Sequence, residues 1–204
     1  MFEFPKSVGN VSRETAEKLV HFVDLVKKWT PKVNLISKNS VADIWSRHIE
    51  DSIQIATLSP NPRRWIDIGS GGGFPGIIVA TVLSEDKTPQ KMTLIESDNR
   101  KCAFLRMAAR ELGLEVDVVA QRIENINGLA ATTLSARALA PLNDLLAYAD
   151  RHLQKEGTAI FPKGASWEKE LKHASSQWSF QYEAITSKTD PSASILVIQS
   201  IEKK

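Results

Sequence analysis

Residues 65–76 read Trp-Ile-Asp-Ile-Gly-Ser-Gly-Gly-Gly-Phe-Pro-Gly, and few folds accommodate such a stretch. Trp65 to Ile68 is a short apolar run of the kind that forms a buried strand. Four of the next five residues are glycines. Glycine loses more conformational freedom on folding than any other residue, so a run of them needs a reason. Pro75 then suits the first turn of a helix, where its missing N–H would be unpaired anyway. The run Ile77–Leu83 continues as a helix apolar nearly all round, hence buried. Strand, glycine loop and helix form the first half of a nucleotide-binding βαβ unit. Glycines let backbone amides come close to a ligand, and the helix N-terminus adds partial positive charge. The loop is expected to hold an anionic or strongly polar small molecule.

Two frames fit the glycines. In one, Gly71, Gly73 and Gly76 form the G-x-G-x-x-G of a dinucleotide enzyme, but Gly69 and Ser70 then separate the motif from its strand. In the other, Asp67-x-Gly69-x-Gly71-x-Gly73 places an acid first and three alternating glycines after it, the pattern of S-adenosylmethionine-dependent methyltransferases. We favour the second. Met92–Glu96 reads as the next strand, and Glu96 lies 20 residues beyond Gly76. An acid at that strand end can accept from both ribose hydroxyls of an adenosine.

The rest of the chain alternates in the same way. Ser12 is the N-cap of a helix with the stripe Ala16, Leu19, Val20, Val23, Val26 and Trp29, predicted to end before Pro31. A second helix is predicted over about 40–58, with His48, Asp51 and Ser52 at its middle. Prolines mark a linker over 59–64. After Glu96 follow a helix over 99–112 stopped by Gly113, a strand over 116–119, and Gln121-Arg122-Ile123-Glu124 at its carboxyl end. A strand over 133–137, a helix over 141–153, a strand over 157–164, a helix over 167–177 and a hairpin of 178–186 with 193–201 complete the chain. Strands alternating with helices imply a parallel sheet covered on both faces. The fold class is therefore α/β, the Rossmann-like class I S-adenosylmethionine-dependent methyltransferase architecture. Its seven-stranded, mostly parallel sheet closes in an antiparallel hairpin. At 204 residues the chain is expected to hold an N-terminal helical extension, 1–62, packed on a methyltransferase domain, 63–204.

Composition narrows the setting. The single cysteine, Cys102, excludes an internal disulfide and fits a reducing compartment. Residues 1–11 carry no apolar run, and no stretch of 18 or more apolar residues occurs, so neither a leader nor a membrane span is expected. A cytoplasmic monomer without a metal site is the reading. The formal net charge is only +2, but residues 1–64 carry 10 basic and 7 acidic side chains while the remainder is net −1. A balance this small does not demand a nucleic-acid partner, although the basic excess is concentrated in the N-terminal segment.

What is absent points to the methyl acceptor. Methylation of an exocyclic amine is usually served by an (Asp/Asn)-Pro-Pro-(Tyr/Phe) loop after the fourth strand; this chain has Arg137-Ala138-Leu139-Ala140-Pro141 there. A pyrimidine C5 needs a Pro-Cys nucleophile, and Cys102 lies within a helix with no proline beside it. A ring nitrogen with a free lone pair, such as guanine N7, needs neither.

At this point the sequence resembles a particular family. Asn34-Leu35, Arg47-His48-x-x-Asp51-Ser52, the loop from Asp67 to Gly76 with its Phe-Pro-Gly ending, Ser135-Ala136-Arg137-Ala138 and Lys163-Gly164 together look like the bacterial glucose-inhibited division protein B family. Its members are RsmG-type small-subunit ribosomal RNA methyltransferases that make 7-methylguanosine in the decoding-region loop. The resemblance covers almost the whole chain, with Thr30 standing where the family carries an asparagine. It implies S-adenosylmethionine as cofactor and 16S ribosomal RNA, free or in a small-subunit particle, as partner. It implies cofactor contacts at Gly69, Phe74, Ile123, Glu124 and Arg137, with Glu96 at the ribose; Asp67, Gly71 and Gly73 join them from the loop motif. Arg137, Lys163, His48 and Asp51 are the candidates for positioning the substrate. Lys27, Lys28, Lys32, Asn34, Arg47, Arg63, Arg64 and Lys163 are the candidate RNA contacts. The alternatives are methylation of another RNA site, a nicotinamide-dependent oxidoreductase using the rejected glycine frame, and a catalytically idle RNA-binding module.

Overall fold

The computed structural model describes residues 11–85 and 91–204, which leaves the first ten residues of the N-terminal extension outside the described part. Seven strands form one sheet in the order β3-β2-β1-β4-β5-β7-β6. They are β1 (Arg64–Ile68), β2 (Lys91–Glu96), β3 (Val116–Ala120), β4 (Ala131–Ala136), β5 (Leu153–Lys163), β6 (Trp178–Thr186) and β7 (Ser194–Lys203). β1 pairs in parallel with β2 and with β4, β2 with β3, and β4 with β5. β7 runs antiparallel to both β5 and β6. The chain thus builds outward from β1 to β3, then returns to place β4 on the other side of β1. Crevices outside the carboxyl ends of strands at such a reversal are where open α/β sheets bind ligands.

Each sheet face is covered by its own apolar layer. On one side Trp65 packs with α1 (Arg13–Val33), α3 (Gly76–Leu83) and α4 (Asn99–Glu111). On the other, Ile66 and Ile68 pack with α5 (Leu142–His152) and the end of α6 (Trp167–Ala174). This alternation along β1 is the period-two pattern of a strand buried on both faces. α1 shares its core with α3 and α4 through Phe22, whose ring lies 5.4 Å from that of Phe74 and 6.2 Å from that of Phe104. Its direction is fixed at the start, where the Ser12 amide donates to Glu85 just past the end of α3 (2.8 Å). α1 therefore runs toward the sheet's carboxyl edge. Among the described residues no helix is long and apolar enough to cross a membrane.

Several boundaries differ from the sequence reading; α6 ends at Ala174 rather than 177 and β4 starts at Ala131 rather than 133. α1 continues through Pro31 to Val33, and Asn34 caps it in the left-handed region (φ 54°). Pro31 falls in the last turn, and both it and Lys27, whose carbonyl forfeits the one bond lost, are exposed residues. Thr30, expected in a turn, is instead buried in the helix with its hydroxyl on the Val26 carbonyl (2.7 Å). The second helix does not begin near residue 40: a 3-10 turn at Lys38–Ser40 precedes a π-helical turn, Trp45–Glu50, that runs directly into α2 (Asp51–Ala56). The fifth strand starts at Leu153 rather than 157, with no turn between it and α5.

Candidate functional site

The β1 end sets the geometry. Asp67 is fully buried and its Oδ1 accepts from the Ser135 hydroxyl (2.6 Å), which in turn accepts from the Trp65 indole N–H (2.9 Å). Its Oδ2 has no hydrogen-bond partner, and burial pushes the carboxyl pKa up to about 6 against the opposing bond from Ser135. The Asp67 side chain therefore shapes the turn from below rather than facing a ligand. Gly76 is what lets α3 come this close. A Cβ there would lie 2.5 Å from Leu94 and 2.7 Å from Asp67 Oδ2. The loop is less superficial than its glycines suggest. Gly72, Gly73 and Phe74 are buried behind it, against Leu35 and Phe22 of the N-terminal segment.

The front of the loop opens into a cleft of about 290 Å³ lined by Gly69, Gly71, Glu96, Lys101, Ile123 and Glu124, among others. Gly71 sits at φ +53°, where a Cβ would meet nothing nearer than the Gly69 carbonyl oxygen at 3.7 Å, so a side chain there would invade the cleft itself. Glu96 is buried at the end of β2 with its carboxylate oxygens accepting from the amides of Gly71 (2.9 Å) and Asp98 (2.8 Å). A glycine cradle beside a carboxylate that is held in place but keeps lone pairs to spare fits an adenosine-bearing cofactor.

A second, larger cleft of about 590 Å³ adjoins it, with Ala138 common to both. Arg47, His48, Asp51, Arg137 and Lys163 all line it, together with the β6–β7 turn. His48 comes from the π turn, a backbone irregularity often found at functional sites. Its ring stacks on Phe74 (centroids 4.8 Å apart), and both ring nitrogens are buried without partners. Burial, then the charges of Arg137 and Arg47, lower its pKa to about 4, so the ring is neutral at physiological pH. Arg137 donates one guanidinium nitrogen to the Arg47 carbonyl (2.7 Å) and leaves the other, Nη1, buried and unpaired.

Asp51 and Lys163 turn out to be engaged. Asp51 accepts from Ser187 (2.8 Å) and Thr189 (2.7 Å), and Gln54 bonds the Thr186 carbonyl and Lys188 amide, so α2 grips the β6–β7 turn. Lys163 pairs with Glu170 at 2.6 Å, with its side chain only 10% exposed, and donates to the Ala140 carbonyl (3.2 Å). It is not a free cation offered to phosphate. Its partner Glu170 also accepts the Leu142 amide (2.8 Å), so the pair braces the 137–142 segment. That segment holds Ala138 at φ +52° and seats the half-exposed Leu139 on Gly69, at the junction of the clefts.

The structure thus brings together Gly69, Gly71, Glu96, Ile123 and Glu124 at one cleft and Arg47, His48, Asp51, Arg137 and Lys163 at the other. Asp67, Gly73 and Phe74 line neither. Lys27, Lys28, Lys32 and Asn34 are exposed on the last turns and cap of α1, the end that approaches the glycine loop. Arg63 and Arg64 are not brought to this side. They enter β1 at its amino end, on the opposite edge of the sheet, and Arg64 is bound to the carbonyls of Leu129 and Ala130 (3.4 and 3.2 Å). Adjacency to the strand in sequence hid which edge they occupy. Leu139, Ser187 and Tyr148, whose hydroxyl donates to Glu124 (2.6 Å), were missed because nothing local in a sequence marks an exposed leucine or the partner of a carboxylate. Among the described residues no group of three or more His, Cys, Asp or Glu side chains is placed to hold a metal ion.

Known proteins place this geometry. Residues 15–195 match the family described as "GidB: rRNA small subunit methyltransferase G". A "Ribosomal RNA small subunit methyltransferase G" of Ruegeria pomeroyi is 53% identical over 194 residues, 95% of each chain. Its namesake from Gluconobacter oxydans is 46% identical over 193 residues, 95% of this chain and 97% of its own. Among solved structures, a SAM-dependent methyltransferase from Aquifex aeolicus superposes with a TM-score of 0.58 at 12% identity, over 78% of this chain and 92% of its own, a likeness of fold. With its seven-stranded sheet, its glycine cradle at the switch point and a match spanning nearly its whole length, the chain belongs to the GidB family of small-subunit ribosomal RNA methyltransferases.

Proposed function

We propose that this chain transfers a methyl group from S-adenosylmethionine to N7 of a guanine in 16S ribosomal RNA, in the loop of the decoding region. The observation that carries the reading is the pair of joined clefts at the switch point. One is built for an adenosine. The other is larger, flanked by arginines, and carries buried polar atoms with nothing to bond.

The cofactor contacts assigned are Gly69, Gly71, Glu96, Ile123 and Glu124 from the first cleft and Arg137 from the second, with Asp67, Gly73 and Phe74 supporting the loop from behind. When bound, S-adenosylmethionine supplies an electrophilic methyl carbon and a neutral thioether as leaving group. The guanine N7 lone pair forms the new bond as the carbon–sulfur bond breaks, with that electron pair staying on sulfur. No proton leaves N7, so the site needs no strong base. What the chain must do is align the reactants, worth roughly 7–11 kcal/mol of barrier in favourable cases. The neutral His48 and the free Nη1 of Arg137 offer unmade hydrogen bonds for the base, or, for Arg137, for the cofactor's carboxylate. Buried polar groups are usually paired, and these two, unlike Asp67 Oδ2, belong to residues that line an open cleft. A neutral His48 also adds no positive charge beside the cationic product.

RNA is proposed to cross the end of α1 through Lys27, Lys28, Lys32 and Asn34, and to reach the second cleft past Arg47. The enzyme acts as a monomer on free RNA or on an assembled particle. The test is incubation of unmodified 16S RNA and of unmodified small-subunit particles with the protein and labelled cofactor, followed by mass mapping. One 7-methylguanosine in the decoding-region loop supports the reading. Label on another base, or none under saturating cofactor, refutes it.

A further inference from the structure

Glu124 is held more firmly than an exposed glutamate should be. It stands on a single 3-10 turn, Ile123–Asn125, at the carboxyl end of β3, where it lines the adenosine-sized cleft with Glu96. Ile123, buried at 6% exposure, anchors that turn. Glu124 itself faces solvent, where its three side-chain torsions would ordinarily leave the carboxylate free to wander. Yet two residues of α5 reach across to it. The Tyr148 hydroxyl donates to Oε1 at 2.6 Å, and the Arg151 guanidinium donates to the Glu124 carbonyl at 2.9 Å. Spaced i and i+3, the two lie on one face of the helix and grip the residue at side chain and backbone.

We infer that Tyr148 is a positioning residue for the cofactor's base: it fixes the Glu124 carboxylate so that the second oxygen, Oε2, accepts the exocyclic amine of adenine, making the cleft selective for adenine over hypoxanthine. The inference rests on the adenosine reading of this cleft. An ionised carboxylate only accepts hydrogen bonds. It suits the amine of adenine and repels the carbonyl oxygen that hypoxanthine carries at the same position. The Tyr148 hydrogen bond holds the Glu124 carboxyl below the usual carboxylate range, and the same bond pushes the phenol up to about 12. At neutral pH the phenol is therefore a donor and the carboxylate an acceptor, with no ambiguity of roles. The arrangement resembles that at Glu96, whose carboxylate is held by two backbone amides, whereas Glu124 has one donor at its carboxylate and one at its backbone carbonyl.

The test is calorimetric titration of the full chain with S-adenosylhomocysteine and S-inosylhomocysteine, for wild type, Tyr148→Phe, Glu124→Ala and the double variant. Tyr148→Phe removes one oxygen and should weaken adenine-ligand binding by about five- to tenfold, the range of a lost hydrogen bond. Binding of the inosine ligand, whose carbonyl the fixed carboxylate repels, should hold or improve, narrowing the preference. Once Glu124 is alanine, Tyr148→Phe should have no further effect, since coupled residues do not add. A Tyr148→Phe variant that binds both ligands as wild type does would overturn the inference. So would equal weakening toward both ligands, which marks a role in folding rather than in base selection. If wild type binds neither ligand, it is the adenosine reading of the cleft that has failed.

Discussion

Glu96 is committed to two backbone amides, so under the proposed assignment the loop and the ribose lean on the same carboxylate. Glu96→Gln replaces one acceptor oxygen by an amide NH2 group, a donor facing a backbone N–H donor. We expect at least tenfold weaker S-adenosylhomocysteine binding by calorimetry and about 1–2 kcal/mol lower stability in urea, the usual cost of an unmet buried polar group. RNA affinity should be unchanged. Gly71→Val is the complementary case. The protein has room for the side chain, but the positive φ disfavours it and the cleft is where it goes. Cofactor binding should be lost at a stability cost of only about 1–2 kcal/mol. His48 offers a pH readout. Its ring is neutral in both states above pH 6.5. As the pH falls, the unfolded chain takes up a proton at 6.5 that the folded ring resists until about 4. Wild type should therefore lose stability relative to His48→Gln across that window. Asp67 works in the opposite sense. Its folded pKa near 6 lies above the ordinary 3.8, so the stability it contributes is complete below 3.8 and is lost as pH rises through 6. Melting curves from pH 7.5 to 4.5 on each single variant separate the two.

At the scale of elements, the pieces that build the second cleft are anchored in the two apolar layers and joined to one another by polar bonds. Lys163 and Glu170 tie β5 to α6 and, through Ala140 and Leu142, to the segment after β4. Lys163→Ala should cost about 1–3 kcal/mol, less than for a fully buried pair because Glu170 is a quarter exposed and keeps the Leu142 amide. With the 137–142 segment loosened, turnover at saturating RNA and saturating cofactor should fall. Lys163 was legible in the sequence as a residue of the site, but not as a strut: a lysine at a strand end gives no sign of its counter-charge seven residues on. Other misreadings have similar causes. Pro31 looked like a helix stop because sequence does not say that the helix needs only two more residues beyond it, or that Pro31 itself is exposed. The π turn around His48 keeps the apolar side of an ordinary helix, so periodicity could not betray it. No glycine or proline separates His152 from Leu153, so the helix-to-strand switch there left no mark. The glycine loop, Glu96 and the alternation of strands and helices were legible because each depends on local backbone chemistry or on simple period.

For the molecule as a whole, the basic excess of the N-terminal segment acquires a place. Lys27, Lys28 and Lys32 stand on the end of α1 nearest the glycine loop. Reversing all three to glutamate should weaken RNA binding and flatten its dependence on salt, because fewer counterions are released, while cofactor affinity is retained. Filter binding across a salt series checks both. The same helix has a quieter role. Its Phe22 and the following Leu35 press on the back of Gly72, Gly73 and Phe74, whereas the ligand cleft opens on the front. The loop is thus a thin partition with a partner on each side. Peeling α1 away would withdraw one of those partners, so occupancy of the cleft and docking of the helix must reinforce each other. With ligand at a hundred times its dissociation constant, the penalty for detaching α1 rises by up to about 2.7 kcal/mol. The amides of α1, none of which touches the ligand, should then exchange with deuterium up to about a hundredfold more slowly.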